Sequence, residues 1–168
     1  MQITLLVASA IAILATLLAI TRLDAVHALL YLVVSLLAVA VVLYTLGAPF
    51  AAALEVIIYA GAIVVLFVFV VMMLNLGRSA VELERRWVAP GMWIGPALLS
   101  LVLLGEMAAI LGWVRPGTGN VEQIGPRQVG ALLFGPYLLA VELASMLLLA
   151  GLVGAVHLGR RGPREEQS

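Results

Sequence analysis

The sequence predicts an all-α integral membrane protein with five transmembrane helices. Of its 168 residues, 64% are hydrophobic and only 11% are charged, and the mean hydropathy is +1.20. A soluble domain carries about a quarter charged residues, so this chain lacks the polar surface that water would require. The charges also fall between long uncharged runs, each close to the roughly 20 residues that a helix needs to cross a bilayer.

These uncharged runs define five spans, which together predict one membrane domain over 1–159 followed by a short polar cytoplasmic tail over 160–168. The spans cover, in order, about 2–21, 26–46, 50–76, 91–113 and 130–157. The first span is uncharged and ends at Arg22. The second ends at Gly47 and Pro49, because Gly and Pro close together predict a turn, here a tight hairpin into the third span.

Polar and turn-forming stretches bound the last three spans. The third has Glu55 near its start and ends at the polar loop 78–86, and the fourth follows that loop. The fifth follows a cluster of Gly, Pro and Asn over 116–126. It begins either near Val129 or at Pro136, which is then the first helical residue or a kink inside the helix.

The distribution of arginine predicts the orientation of the five spans. Two of the nine arginines fall on the side of the N-terminus, and seven fall on the opposite side. The seven are Arg22, Arg78, Arg85, Arg86, Arg160, Arg161 and Arg164. Because cytoplasmic loops carry the excess of basic residues, the N-terminus is expected on the outer side of the membrane and the C-terminus in the cytoplasm.

Composition excludes several functions. The chain contains no cysteine, so it cannot hold a disulfide, a thiolate zinc site or a cysteine-ligated iron–sulfur cluster. Its formal net charge is zero, and no basic patch for nucleic acid is present. We therefore expect no catalytic residue, cofactor or metal in this chain, and any redox chemistry that it serves lies in other chains.

Three glutamates fall inside the predicted spans: Glu55, Glu106 and Glu142. A charge at a helix centre costs about 2.5 to 3.5 kcal/mol, so each acid is expected to face a partner, water or a proton route. For Glu55, a carboxylate reaching the outer interface is as good an interpretation as a functional one. Glu106 is interpreted as a residue without a proton-transfer role, paired with another chain. Glu142 is the best candidate for a buried acid that is protonated or shares a proton.

His27 lies at the predicted cytoplasmic end of its helix, as does His157, and both are interpreted as interfacial residues rather than haem ligands. The third span is less ordinary, because Tyr59 precedes the small residues Ala60, Gly61 and Ala62 in an otherwise bulky helix. Small residues allow close helix packing, which is the simpler interpretation. A local π-bulge is the alternative, since such bulges occur often at functional sites.

Two long segments resemble a known family. Residues 53–77 read ALEVIIYAGAIVVLFVFVVMMLNLG, and residues 134–153 read FGPYLLAVELASMLLLAGLV. They resemble helices 3 and 5 of the subunit J family of the bacterial proton-pumping NADH:quinone oxidoreductase, respiratory complex I. Residues 24–31, DAVHALLY, resemble the start of helix 2 of the same family. The resemblance covers nearly the whole chain.

The resemblance implies a membrane subunit without a redox centre, in a complex that couples electron transfer from NADH to quinone to proton translocation. It implies a π-bulge at Tyr59 to Val65 and a rotation of helix 3 that opens or closes a water path. The candidate proton-path or gating residues are then Tyr59, Gly61, Val65, Glu55 and Glu142. The implied partners are the lipid bilayer and the other membrane subunits, especially K, A, H and N, with FMN and iron–sulfur clusters in partner subunits.

Two other functions compete with this interpretation. A small proton-coupled transporter would also use several acids within the membrane. However, five helices without an internal repeat do not match the inverted-repeat architecture of many carriers. The second alternative is a purely structural scaffold subunit that takes no part in proton movement.

The arginine distribution leads to a labelling prediction. In intact cells, single cysteines at Ser79 and Ser168 should be protected from a membrane-impermeant thiol reagent, because both positions are expected in the cytoplasm. A cysteine at Thr118 should be labelled. Labelling of the first two positions from outside would contradict the predicted orientation.

Overall fold

The computed structural model describes residues 2–74, 90–113 and 123–159, and every regular element in these ranges is a helix. The elements are α1 (Gln2–Thr21), α2 (Ala25–Thr45), α3 (Pro49–Leu54), the π-helix π1 (Glu55–Ile63), α4 (Val64–Leu74), α5 (Pro90–Trp113), α6 (Pro126–Leu133) and α7 (Leu138–Gly159). The predicted loop 78–86, most of the predicted loop 116–126 and the tail 160–168 lie outside the described residues.

Five helical stretches in the described ranges are long and apolar enough to cross a membrane. They are Gln2–Thr21, Ala25–Thr45, Pro49–Met73, Trp93–Ile110 and Leu138–Gly159. The third of these stretches combines α3, π1 and most of α4. The all-α class and the number of candidate spans predicted from the sequence are therefore confirmed.

Local hydrogen bonds set the two ends of α2. At its start, Asp24 is the N-cap, and its Oδ1 accepts a hydrogen bond of 2.9 Å from the backbone N–H of Val26. At its end, Gly47 adopts φ 87°, which a residue with a side chain rarely adopts. The N–H of Gly47 donates to the carbonyl of Tyr44, and that of Ala48 donates to Leu43. This is a Schellman motif, and Pro49 then starts α3 at once.

The hairpin between α2 and α3 also holds a later segment of the chain. The carbonyl oxygen of Gly47 accepts a hydrogen bond of 2.9 Å from the N–H of Ile124. Because Gly47 has a left-handed backbone conformation, its carbonyl is not used by the helix that it terminates. The start of the third span and the segment that follows the fourth are thereby joined at the same end of the protein.

The buried core lies between α1, α2 and α5. Its members are Ala8, Ile11, Ala15, Val34, Ala38, Val41 and Leu103. Three of the seven are alanines, which allow the helix backbones to approach closely. A hydrogen bond of 2.7 Å between the hydroxyls of Thr16 and Ser35 also links α1 to α2. In a membrane, where water does not compete, such interhelical bonds contribute about 0.6 to 2 kcal/mol.

Tyr31 packs between α2 and α5. It is 2% exposed, and the guanidinium of Arg22 lies 5.3 Å from the centre of its ring. On the other helix, the tyrosine meets Gly95: a Cβ atom at that position would lie 3.2 Å from the ring carbon Cζ and closer still to the hydroxyl oxygen. Gly95 therefore provides the space that the tyrosine occupies.

The end of the chain departs from the sequence-based prediction. Contacts divide the chain into two compact units, Met1–Ile124 and Gly125–Ser168. The fifth span begins at Leu138 instead of about 130, and residues 126–133 form the separate helix α6. Pro136 is neither the first residue of a helix nor a kink within one, because it lies in the turn 134–137. Proline disfavours the helical conformation of the residue that precedes it, here Gly135. The turn therefore separates the two helices.

The contact between Tyr31 and Gly95 predicts a specific destabilisation. Gly95→Ala should lower the stability of the subunit by about 1 to 3 kcal/mol, the usual cost of overpacking. Tyr31→Phe should recover part of the loss in the double variant, because it removes the atom nearest to the new methyl group. The measurement is the midpoint temperature of heat inactivation of the assembled complex.

Gly105→Ala in the same helix is the matched control, since nothing lies within 4 Å of a Cβ atom placed there. Equal losses for Gly95→Ala and Gly105→Ala would contradict the packing role of Gly95.

Candidate functional site: a π-helical segment in the third span

The third span changes its hydrogen-bonding pattern at Glu55. The N–H of Glu55 still donates to the carbonyls of Ala51 and Ala52, four and three residues back, as at the end of an ordinary helix. The following nine residues, Glu55–Ile63, are π-helical. At the far end, the N–H of Val64 donates to Tyr59, five residues back. A π-helix of this length is rare, and single π-turns occur frequently at functional sites.

The position of this segment differs from the expected bulge at Tyr59 to Val65. The π-helix starts at Glu55, four residues earlier, and α-helical structure resumes at Val64. Val65 therefore lies in α4, just beyond the wide turns. Val64 marks the boundary, because its N–H donates to the carbonyls of both Tyr59 and Gly61 and the α-helix begins at this residue.

Gly61 has a defined place in the π-helix. A Cβ atom built on it would lie 3.1 Å from the carbonyl oxygen of Val56, the residue five positions back. Five positions back is the acceptor position of a π-helix. A side chain at Gly61 would thus press on the carbonyl that the wide hydrogen-bonding pattern uses, and glycine avoids this contact.

Most of the third span faces away from the rest of the chain. π1 runs beside α2 but contains no buried residue, and Tyr59 is 51% exposed. Glu55 is partly buried, whereas Val65 in α4 is 56% exposed. The exception is Val64, which is 3% exposed and holds the junction between π1 and α4. A surface this apolar in a membrane protein is available to lipid or to other subunits.

Glu142 lies elsewhere in the fold. It is the fifth residue of α7 and belongs to the second unit, whereas Glu55, Tyr59, Gly61 and Val65 belong to the first. Its side chain is not buried by the other described residues of the second unit. Its backbone carbonyl accepts a hydrogen bond of 2.7 Å from the hydroxyl of Ser145.

Glu106 is more buried than the sequence suggested. Within the described part of the chain, its Oε2 atom is buried without a hydrogen-bond partner. It follows Leu103 by one helical turn, and Leu99 and Ile110 on the same side of α5 pack against the core. The spacing of these four residues was the available signal, because a helical stripe that includes a core leucine also places the glutamate toward the core.

The two histidines differ in their surroundings. His157 is exposed at the end of α7, as an interfacial residue would be. His27 is only 3% exposed, so its interpretation as a wetted residue is wrong. Its Nδ1 lies 3.5 Å from Oδ2 of Asp24, and neither ring nitrogen forms a hydrogen bond with a described residue. Across the described ranges, no three His, Asp or Glu side chains are grouped as metal ligands would be.

The fold and the altered third span define a multi-pass helical membrane protein. Its sequence matches the family NADH-ubiquinone/plastoquinone oxidoreductase chain 6 over residues 15–158, and the chain belongs to this family. Relatives named NADH-quinone oxidoreductase subunit J support the assignment. The one from Pseudomonas aeruginosa is 57% identical over 159 residues, which are 94% of this chain and 96% of the relative.

Two other relatives carry the same name. The protein from Escherichia coli strain K12 is 59% identical over 161 residues, covering 95% of this chain and 87% of the relative. The protein from Buchnera aphidicola subsp. Schizaphis graminum is 49% identical over 152 residues, covering 90% and 93% respectively. The expected membership of the subunit J family of complex I is therefore confirmed.

The buried oxygen of Glu106 leads to a stability prediction. Glu106→Leu should stabilise the subunit by about 1 to 3 kcal/mol, because leucine removes a buried polar atom without a hydrogen-bond partner in the chain. The measurement is the fraction of the subunit retained in the complex during stepwise heating. Met107→Leu, at an exposed position of the same helix, is the control. A loss of stability in Glu106→Leu that Glu106→Gln avoids would instead show that another subunit binds the carboxylate.

Proposed function

We propose that this chain is a gating subunit in the membrane part of NADH-quinone oxidoreductase, where it helps couple electron transfer from NADH to quinone to proton translocation. The observation that carries the proposal is the π-helix Glu55–Ile63 inside a membrane span. The chain itself contributes no redox centre, and FMN and iron–sulfur clusters belong to partner subunits. No feature favours an independent transporter over a subunit of the family to which the chain belongs.

The proposed switch is a change of hydrogen-bond register in the third span. In the π-helical state, the N–H of Val64 bonds to Tyr59; in an α-helical state, it would bond one residue closer, to Ala60. The N–H of Val64 keeps a carbonyl acceptor in both states, as a span in lipid requires. The conversion rotates α4 relative to α3 by about 100°, the angular step of one residue.

The residues of the switch have different roles in this proposal. Gly61 allows the wide turn, because it places no side chain against the carbonyl of Val56. Val65 lies beyond the switch and rotates with α4, and its exposed side chain opens or closes a water path. Tyr59 and Glu55 present polar groups along that path. Glu142 on α7 is a further acid available to it.

The exposed surfaces support a place among other subunits. The third span and α7 leave most of their apolar side chains uncovered by the chain itself. Subunits K, A, H and N are the proposed neighbours, with the water path beside subunit K. The proposed orientation in the bacterial inner membrane has the N-terminus in the periplasm and the C-terminus in the cytoplasm, as the arginine distribution favours.

The gating role predicts a split between two activities. In Gly61→Val, electron transfer from NADH to ferricyanide per assembled complex should stay near normal, because it does not use the membrane switch. Proton translocation coupled to quinone reduction should fall. A shift of about 1 to 3 kcal/mol from overpacking at Gly61 corresponds to a change of roughly five- to hundredfold in the balance of the two states.

Val71→Leu is the control for Gly61→Val, because it enlarges a side chain of the same span outside π1. If both activities of Gly61→Val fell together with the amount of assembled complex, the third span would be a packing element and the chain a scaffold.

A second prediction concerns Glu142. Glu142→Gln should keep assembly and most proton translocation if the carboxyl is neutral or shares a proton, because the amide preserves the volume and the hydrogen bonding. Glu142→Ala should be worse, since it leaves hydrogen-bond partners unsatisfied. Proton translocation is measured in membrane vesicles per assembled complex. Its complete loss in assembled Glu142→Gln would make Glu142 an obligatory proton relay.

A further inference from the structure

We propose that α6 and the turn after it form a phospholipid-binding element. In this arrangement, α6 lies along the membrane surface in the leaflet where the fifth span begins. Its apolar side enters the boundary between headgroups and acyl chains, and Arg127 faces a lipid phosphate. Neither the family assignment nor the gating proposal requires such an element, so its test is independent of both.

The first argument is the distribution of side chains around α6. At about 100° per residue, Val129, Leu132 and Leu133 fall on one side of the helix, and Arg127 and Ala131 fall on the other. Gln128 lies at the border, next to Leu132. Leu132 and Leu133 are 49% and 42% exposed, so much of the surface of this apolar side remains accessible. A helix with one apolar and one polar side is suited to the surface of a membrane.

The second argument is the position of α6 along the chain. Only the turn 134–137 separates it from Leu138, the first residue of a membrane span. The turn carries Phe134 and Tyr137, which are 74% and 58% exposed. Aromatic residues concentrate at the headgroup level at the ends of spans. The turn is therefore placed at the membrane surface, and α6 cannot be far from it.

Charge favours phospholipid as the occupant. Arg127 is the only charged residue in the sequence 123–137, and its side chain is exposed. It lies in the first turn of α6, where the helix dipole adds to its positive potential. Gln128 caps the N-terminus of α6, since its Oε1 accepts a hydrogen bond of 3.0 Å from the N–H of Gly125. The arginine therefore remains available to an anionic phosphate.

Photo-crosslinking of the assembled complex tests the proposal. A benzophenone amino acid is introduced at Leu133 or at Ala131, and the purified complex is placed in nanodiscs of phosphatidylethanolamine and phosphatidylglycerol. After illumination, adducts on this chain are identified by mass spectrometry. We expect phospholipid adducts at Leu133 and their loss at Ala131, which serves as the matched control because it is exposed on the opposite side of the same helix.

Other outcomes overturn the proposal. An adduct of Leu133 with another subunit would show that a protein covers the apolar side, and a complex without lipid adducts at Leu133 would exclude contact with acyl chains. Equal lipid adducts at both positions would contradict the sided arrangement. Leu132 lies on the same side and replaces Leu133 if that variant does not assemble. Arg127→Glu, combined with the probe at Leu133, should reduce the adducts with phosphatidylglycerol, and unchanged adducts would refute the role of Arg127.

Discussion

The hydrogen bonding of the backbone is the constraint on which the third span depends. In hydrocarbon no water is available to pair with a free N–H or carbonyl group, and each unpaired group costs several kcal/mol. A span can therefore change shape only if its hydrogen bonds are exchanged rather than broken. The π-helix Glu55–Ile63 meets this condition, because its groups bond five residues back instead of four. For this reason, a register change costs less free energy than a kink or a local unfolding, which would leave backbone groups unpaired.

The rest of the first unit provides a fixed support for such a switch. α1, α2 and α5 share a buried core that is rich in alanine, and Tyr31 occupies the space that Gly95 leaves. The Schellman motif at Gly47 and the proline that follows it then start the third span in a defined direction. In contrast, π1 and α4 bury almost none of their side chains within the chain. The packed helices are thus expected to stay in place while the weakly packed span moves.

The sequence predicts the features that depend on composition and local chemistry, and it predicts poorly those that depend on register. Uncharged runs and turn residues indicate the five spans, because their cause is the thickness of the bilayer. The sequence leaves open whether Pro136 starts a helix or kinks one, and it does not predict the turn that separates α6 from α7, since a proline alone does not reveal whether a helix begins, bends or ends. The extent of π1 was also misplaced. Nothing in the residues Glu55 to Tyr59 distinguishes four-residue from five-residue bonding, and only the glycine at position 61 indicates the wide turn.

The position of the π-helix also determines which candidate residues can move. If α3 stays fixed to the hairpin at Gly47, a change of register in π1 leaves Glu55 at the fixed end and rotates everything after Val64. Val65 then rotates with the rest of α4, although its side chain has no proton to transfer. Glu55 has the opposite character, since it can hold a proton but lies where the helix does not turn. Under the proposed gating role, gating and proton transfer would be separated along one span. Apolar residues beyond π1 would control access to water, and the polar residues Glu55 and Tyr59, at the start and centre of π1, would meet the water that is admitted.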